Sequence, residues 1–160
     1  MATLSDWAST NCHRLVAAGI DRPEAAIDVE VLARHVLGWS RAQWFSSNRE
    51  LAPEGFHTKA DPLVARRCQR EPVAQIVGIR EFWGLDIEVT PDVLTPRPES
   101  ELLVETTLAK LVNRSAPWTI VDVGTGSGCL AIALASELPL AHLVATDVSP
   151  SALRVARRNA

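Results

Sequence analysis

The sequence predicts an α/β protein in three stretches: a small N-terminal helical bundle over residues 1–70, an extended hairpin linker over 71–95, and the start of a doubly wound, Rossmann-like domain over 96–160. Three observations predict it. Apolar residues recur at helical spacing as far as Gln69. Glycines and partly alternating apolar residues then follow in a stretch of extended character. Finally, an apolar run leads into Gly124-Thr125-Gly126-Ser127-Gly128, a helical run and a second apolar run that closes on Asp147.

The first helix carries Leu4, Trp7, Leu15 and Val16 on one face and stops at Gly19. The second opens with Asp21 as N-cap and Pro23 in its first turn, places Ile27, Val31 and Leu32 together, and ends at Gly38. A short segment from Ser40 to Ser46 bears Trp44 and Phe45. A further helix begins near Pro53, and Pro62 inside it predicts a kink or two helices. A bundle of this size buries little surface and is only marginally stable alone. Trp7, Trp39 and Trp44 are expected to pack between its helices.

Val73 to Val77 has extended character and closes on Gly78. Phe82, Leu85, Ile87 and Val89 around Gly84 fit a short hairpin. Thr95 to Glu101 is too proline-rich for helix interior and leads into a helix over Leu102–Leu111, with acidic residues in its first turn. Thr119–Val123 is expected as a buried strand, Cys129–Leu138 as a helix, His142–Asp147 as a second strand and Ser151–Asn159 as a helix capped by Ser149-Pro150. A parallel sheet of two strands is too small to stand alone, so the domain is expected to be truncated.

Composition narrows the classes. Hydrophobic residues make up 47% and charged residues 22%, the balance of a folded globular chain. A net charge of −3 gives no global pull toward nucleic acid or an anionic membrane. Cys12, Cys68 and Cys129 are too far apart for a metal site and are expected as free thiols, and no metal is expected. No apolar run is long enough for a membrane span and no signal-peptide pattern opens the chain, so the protein reads as cytoplasmic.

The glycine run carries the chemistry. Glycines after a strand let the chain turn tightly and let a ligand approach the backbone, with the amides of the next helix facing it. Asp147 stands about twenty residues on, where a carboxylate can accept from both hydroxyls of a ribose. This points to a cofactor containing adenosine. It does not say which, since Gly126 to Ala131 also fits the dinucleotide pattern G-x-G-x-x-A, and a ligand-free tight turn stays open. Asp122, two residues before the first glycine, favours S-adenosyl-L-methionine, whose sulfonium and amino group are cationic and which carries no pyrophosphate. The candidate residues for such a cofactor are Gly124, Thr125, Gly126, Ser127, Gly128 and Asp147.

Four segments, in order, carry a family likeness: Arg70-Glu71-Pro72-Val73-Ala74-Gln75-Ile76-Val77-Gly78, Arg80-Glu81-Phe82-Trp83-Gly84-Leu85, Leu94 to Glu105 around Thr95-Pro96-Arg97-Pro98-Glu99, and Val121 to Gly128. Through them the chain resembles the release-factor glutamine methyltransferases (the HemK/PrmC family), with a weaker likeness over the helical part. Ser100 stands where the family usually has threonine, which keeps the hydroxyl. The resemblance implies a helical substrate-recognition domain before a methyltransferase domain, and methylation of the side-chain amide of the glutamine in the Gly-Gly-Gln motif of peptide-chain release factors. It implies a monomer without direct nucleic-acid contact, and lays the Thr95–Glu101 stretch against the cofactor, with Arg97 and Glu101 as candidate contacts.

The family holds its substrate amide with an Asn-Pro-Pro-Tyr motif. This chain has no tyrosine and no Asn-Pro pair, so the motif is expected beyond Ala160 and these residues are not expected to catalyse by themselves. No residue here is assigned a catalytic role. Two other readings stay open: a different S-adenosylmethionine N-methyltransferase, such as one acting on a nucleic-acid base amine, and a truncated binding module without catalysis.

Overall fold

A computed structural model describes residues 2–160. The chain forms two compact units that divide between Val77 and Gly78.

The first unit is helical. Helix α1 (Leu4–Ala17) opens on a capping box in which the Thr3 hydroxyl accepts from the Asp6 amide at 3.1 Å and the Asp6 carboxylate accepts from the Thr3 amide at 3.0 Å. The Thr3 hydroxyl, which donates to Asp6 Oδ2 at 2.7 Å, and then the Thr3 amide hold the Asp6 carboxyl below the usual range. The helix buries Leu4, Trp7 and Leu15, whereas Val16, expected beside them, is 37% exposed. Helix α2 (Arg22–Leu37) ends on Gly38 in the left-handed region, and Asp21 occupies the N-cap position without a side-chain hydrogen bond. Its buried face is not the expected one. Ile27 is 60% exposed and Val31 half-buried, while Ala25, Asp28, Val29, Leu32 and Ala33 point inward. A charged residue set the face, and apolar periodicity could not show that.

Helix α3 (Arg41–Ser47) has its own capping box from Ser40 and Gln43 and buries Trp44. Phe45 stays exposed, with the Arg41 guanidinium 5.6 Å from its ring centre. Helix α4 (Phe56–Cys68) runs through Pro62 as one element. Val73–Val77, expected extended, is instead a short helix, α5. The Pro72 carbonyl accepts from the amides of Gln75 and Ile76, closing a turn that buries Ile76 in the helical core. Packing overrode the preference of its β-branched residues for strand. Trp7 and Trp44 belong to this core and Trp39 packs against it.

One polar cluster lies inside it. Arg67 of α4 donates from Nε to Asp28 Oδ2 at 2.6 Å, from Nη2 to Glu24 Oε1 at 2.6 Å, and from Nη1 to the Glu71 carbonyl at 3.3 Å. Burial raises the Asp28 carboxyl above the ordinary aspartate range, although Arg67 pulls the other way.

In the second unit, β1 (Ile79–Phe82) and β2 (Leu85–Glu88) form an antiparallel hairpin around Trp83 and Gly84, both in the left-handed region as a two-residue turn of this hand requires. Glu101 stabilises the strained Trp83 by accepting from its amide at 2.9 Å. A short 3-10 turn at Pro98–Ser100 leads into α6 (Glu101–Lys110). Then come β3 (Thr119–Val123), α7 (Cys129–Glu137), β4 (His142–Thr146) and α8 (Pro150–Asn159), with β3 and β4 paired in parallel. The hairpin shares this unit's core, in which Phe82 and Ile87 pack with Val104, Leu108, Ala133, Leu134 and Leu138. Strand β3 is not buried as expected: Ile120 packs inward, but Val121 and Val123 on the opposite face are 56% and 81% exposed.

The three cysteines are free thiols, and burial raises that of Cys129. Among the described residues no helix is long and apolar enough to cross a membrane.

The buried pair yields a stability prediction. Arg67→Met leaves Asp28 buried without its partner, at a cost of about 3–5 kcal/mol at pH 8. An acid whose folded pKa is raised is favoured when protonated, so its contribution is present at low pH and lost as pH rises through that raised value. The deficit relative to wild type is therefore expected to shrink on acidification from pH 8 to 5. Urea unfolding at both pH values measures it; an undiminished deficit at pH 5 would assign the loss to packing alone.

Candidate cofactor-binding site

The site is built where β3 and β4 end side by side. Their parallel register pairs Val123 with Thr146, which brings the glycine run after β3 next to Asp147 after β4. The Thr146 carbonyl accepts from the amides of Gly124 at 2.8 Å and Thr125 at 2.9 Å, which folds the start of the loop back over the strand end. The Thr125 hydroxyl donates to Asp122 Oδ2 at 2.6 Å, so Asp122 braces the loop from below.

Asp147 does more than wait for a ligand. Its Oδ2 accepts from the Gly126 amide at 2.9 Å and its Oδ1 from the Ser149 amide at 2.8 Å. These bonds, Ser149 first and then Gly126, hold its carboxyl below the usual aspartate range. A carboxylate has about four acceptor positions, two on each oxygen, so one on each remains for a pair of hydroxyls. The carboxylate can thus fix the loop and receive a diol at once.

Gly124, Gly126 and Gly128 all have positive φ, at 78°, 56° and 84°. At Gly124 and Gly126 a Cβ would meet nothing within 4 Å, so the loop opens onto free space there. Gly128 differs. It is the N-cap of α7, and a Cβ on it would lie 3.1 Å from Ile132 Cδ1 and 3.2 Å from Ala156 Cβ. Here the glycine lets α7 and α8 pack closely. The Ser127 hydroxyl between them is buried without a hydrogen-bond partner. A cavity of about 270 Å³ beside the loop is walled mainly by Gly128, Ala131, Ile132, Leu143, Ala145 and Ala156. Its lining is apolar apart from Arg157, and Asp147 is not part of it.

The structure thus brings Gly124 to Gly128, Asp122 and Asp147 into one cluster. Arg97 is exposed, and Glu101 accepts from the Trp83 amide through one of its oxygens. Two contributors escaped the sequence: the Thr146 carbonyl, invisible to any side-chain pattern, and Asn159, whose side-chain amide donates to the Ser127 carbonyl at 2.9 Å.

Residues 6–78 match the family described as PrmC N-terminal domain. Residues 103–160 match the one described as Ribosomal protein L11 methyltransferase (PrmA). The release factor glutamine methyltransferase of Burkholderia pseudomallei is 47% identical over 160 residues, covering 100% of this chain and 54% of that protein. Its counterpart in Bordetella pertussis is 47% identical over 147 residues, 91% of this chain and 52% of that protein. In Escherichia coli K12 the figures are 41% over 133 residues, 83% and 47%. The chain spans about half the length of these curated relatives.

The two kinds of glycine predict different costs. Gly124→Ala pays only for a left-handed backbone, about 1–2 kcal/mol. Gly128→Ala adds crowding against Ile132 and Ala156, about 1–3 kcal/mol more. Thermal unfolding of both variants in the intact protein is expected to rank Gly128→Ala well below Gly124→Ala, and equal melting would show that α7 and α8 part without cost.

Proposed function

We propose, on the premise that the chain belongs to the release factor glutamine methyltransferase family and matches its N-terminal portion, that it serves S-adenosylmethionine-dependent methylation of the glutamine side-chain amide in the Gly-Gly-Gln motif of release factors. The observation that carries the cofactor half is Asp147. It anchors Gly126 and Ser149 with one acceptor position on each oxygen and keeps the other two for a ribose diol. S-adenosylmethionine, when bound, supplies an electrophilic methyl group on its sulfonium.

The residues fit that cofactor. Gly124 and Gly126 leave the loop open, and Asp122 puts a carboxylate below it, which suits a cationic ligand. Gly124 to Gly128 would lie along the ligand with the first free amides of α7 beside them. This arrangement belongs to the opening of a Rossmann-like methyltransferase domain, for which the parallel pair β3–β4 joined through α7 is the supporting observation.

Target choice falls to the other unit. Residues 103–160 of the second unit match a family named for a different protein target, ribosomal protein L11, which supports assigning target choice to the helical unit. The helical unit matches the PrmC N-terminal domain and ends where that match ends, at residues 77 and 78. An amide nitrogen is a poor nucleophile and must be held accurately, so binding energy from a remote surface is needed to orient it. The helical unit is the candidate for such a surface, and the exposed apolar side chains of Ile27, Phe45 and Leu51 in it support that reading.

Two outcomes test this. Asp147→Ala is expected to weaken S-adenosylmethionine binding roughly tenfold or more while leaving release-factor affinity nearly unchanged, because it removes charge-assisted bonds only on the cofactor side. Calorimetric titration of folded variant and wild type decides it, and unchanged cofactor affinity would remove the ribose assignment. Deleting residues 1–77 from the intact protein is expected to preserve cofactor affinity but sharply reduce methylation of an intact release factor, with little change for a short Gly-Gly-Gln peptide. Equal loss on both substrates, read by mass spectrometry of the glutamine, would make the helical unit a brace.

A further inference from the structure

We infer that Asn159 is a positioning residue for the cofactor loop, an assignment that rests on reading Gly124–Gly128 as that loop. Asn159 lies in the last turn of α8, far in sequence from what it touches. Its Oδ1 accepts from the Glu88 amide at 2.8 Å, and its Nδ2 donates to the Glu88 carbonyl at 3.0 Å and to the Ser127 carbonyl at 2.9 Å. One side chain thus reproduces a strand-like pairing with β2 and holds the peptide that joins Ser127 to Gly128.

The residue type is dictated by its partners. Glu88 presents one amide and one carbonyl, and Ser127 presents a carbonyl. Only a side-chain amide offers an acceptor and two donors at that reach; aspartate would offer no donor at all. The orientation of the amide is fixed by the same pattern.

The place matters as much as the bonds. Ser127 is the residue before the N-cap of α7, so the tilt of its carbonyl sets the tilt of the following peptide and of the amides that open α7. Ala156, one turn earlier on α8, already limits Gly128 from below. With Asp147 holding the Gly126 amide and Asn159 holding the carbonyl of the next residue, Ser127, the middle of the loop is gripped from two sides of the unit. Asp147 can face the ligand, while Asn159 acts only through the loop.

Arg158 supplies the control. It pairs with the Glu88 carboxylate, with Nη2 2.7 Å from Oε1, and so ties the same turn of α8 to the same residue of β2 without touching the loop. The test compares Asn159→Asp, Asn159→Ala and Arg158→Gln in the intact protein at a temperature where all are folded. Hydrogen exchange of the Gly124–Leu130 backbone without ligand is expected to rise about tenfold in both Asn159 variants. Their affinity for S-adenosylhomocysteine is expected to fall about tenfold, the worth of one or two lost hydrogen bonds. Arg158→Gln is expected to stay within about twofold on both readouts even where its melting temperature falls. The KM for S-adenosylmethionine should rise in the Asn159 variants with that for the release factor unchanged. Loop exchange in Asn159→Asp equal to wild type overturns the assignment, as does an equal effect of Arg158→Gln. Failure of the wild-type protein to bind S-adenosylhomocysteine would instead overturn the cofactor reading, and the exchange data would then decide on the loop grip alone.

Discussion

Everything in the second unit that could meet a ligand depends on the carboxylate of Asp147 and the two backbone amides it accepts from. Gly126 reaches it across the end of the parallel pair, and Ser149 reaches it from the start of α8. The glycine loop and the turn between β4 and α8 are thereby fixed around one charge. Because backbone amides are the donors, no side-chain substitution elsewhere can replace them, and the glycines are free to adopt left-handed angles without a competing Cβ. The same bonds favour the ionised form of the carboxylate.

The helical unit is organised on a different principle. Its apolar core surrounds a guanidinium, and the Arg67–Asp28 pair ties α2 to α4 inside it. Such a pair contributes little net stability over an apolar replacement, but it penalises every arrangement in which either charge is buried alone. It thereby sets which face of α2 turns inward and leaves Ile27 outside. Indole chemistry adds a second restraint, since Trp7 packs edge-on against Phe56 and donates to Asp61 at 2.7 Å.

The hairpin, expected as part of a linker, works as part of the second core. Trp83 sits in a left-handed conformation that costs a non-glycine residue, and two carboxylates offset it: Glu101 takes its amide and Glu137 its indole N–H at 2.9 Å. Glu101, a candidate cofactor contact in the sequence, thus also supports this turn. A turn residue with an exposed strain is recognised only once its φ is known.

The sequence by itself determined what is local. The glycine run after an apolar strand, the Asp at the end of the next, the Gly38 cap and the Ser149-Pro150 cap depend on neighbours within a few residues and were legible. The family likeness was legible for the same reason, being carried by contiguous segments. Tertiary structure alone decided what depends on distant partners. Val73–Val77 became helical because Ile76 had a core to enter. The face of α2 was chosen by Arg67, thirty-nine residues from Asp28. Asn159 joined the site because α8 brought it to Ser127 and Glu88, and no periodicity records a hydrogen bond to a carbonyl thirty-two residues away. Local propensities amount to tenths of a kcal/mol per residue, whereas burying a side chain or pairing a buried charge is worth several times that, so the distant contact wins wherever the two disagree.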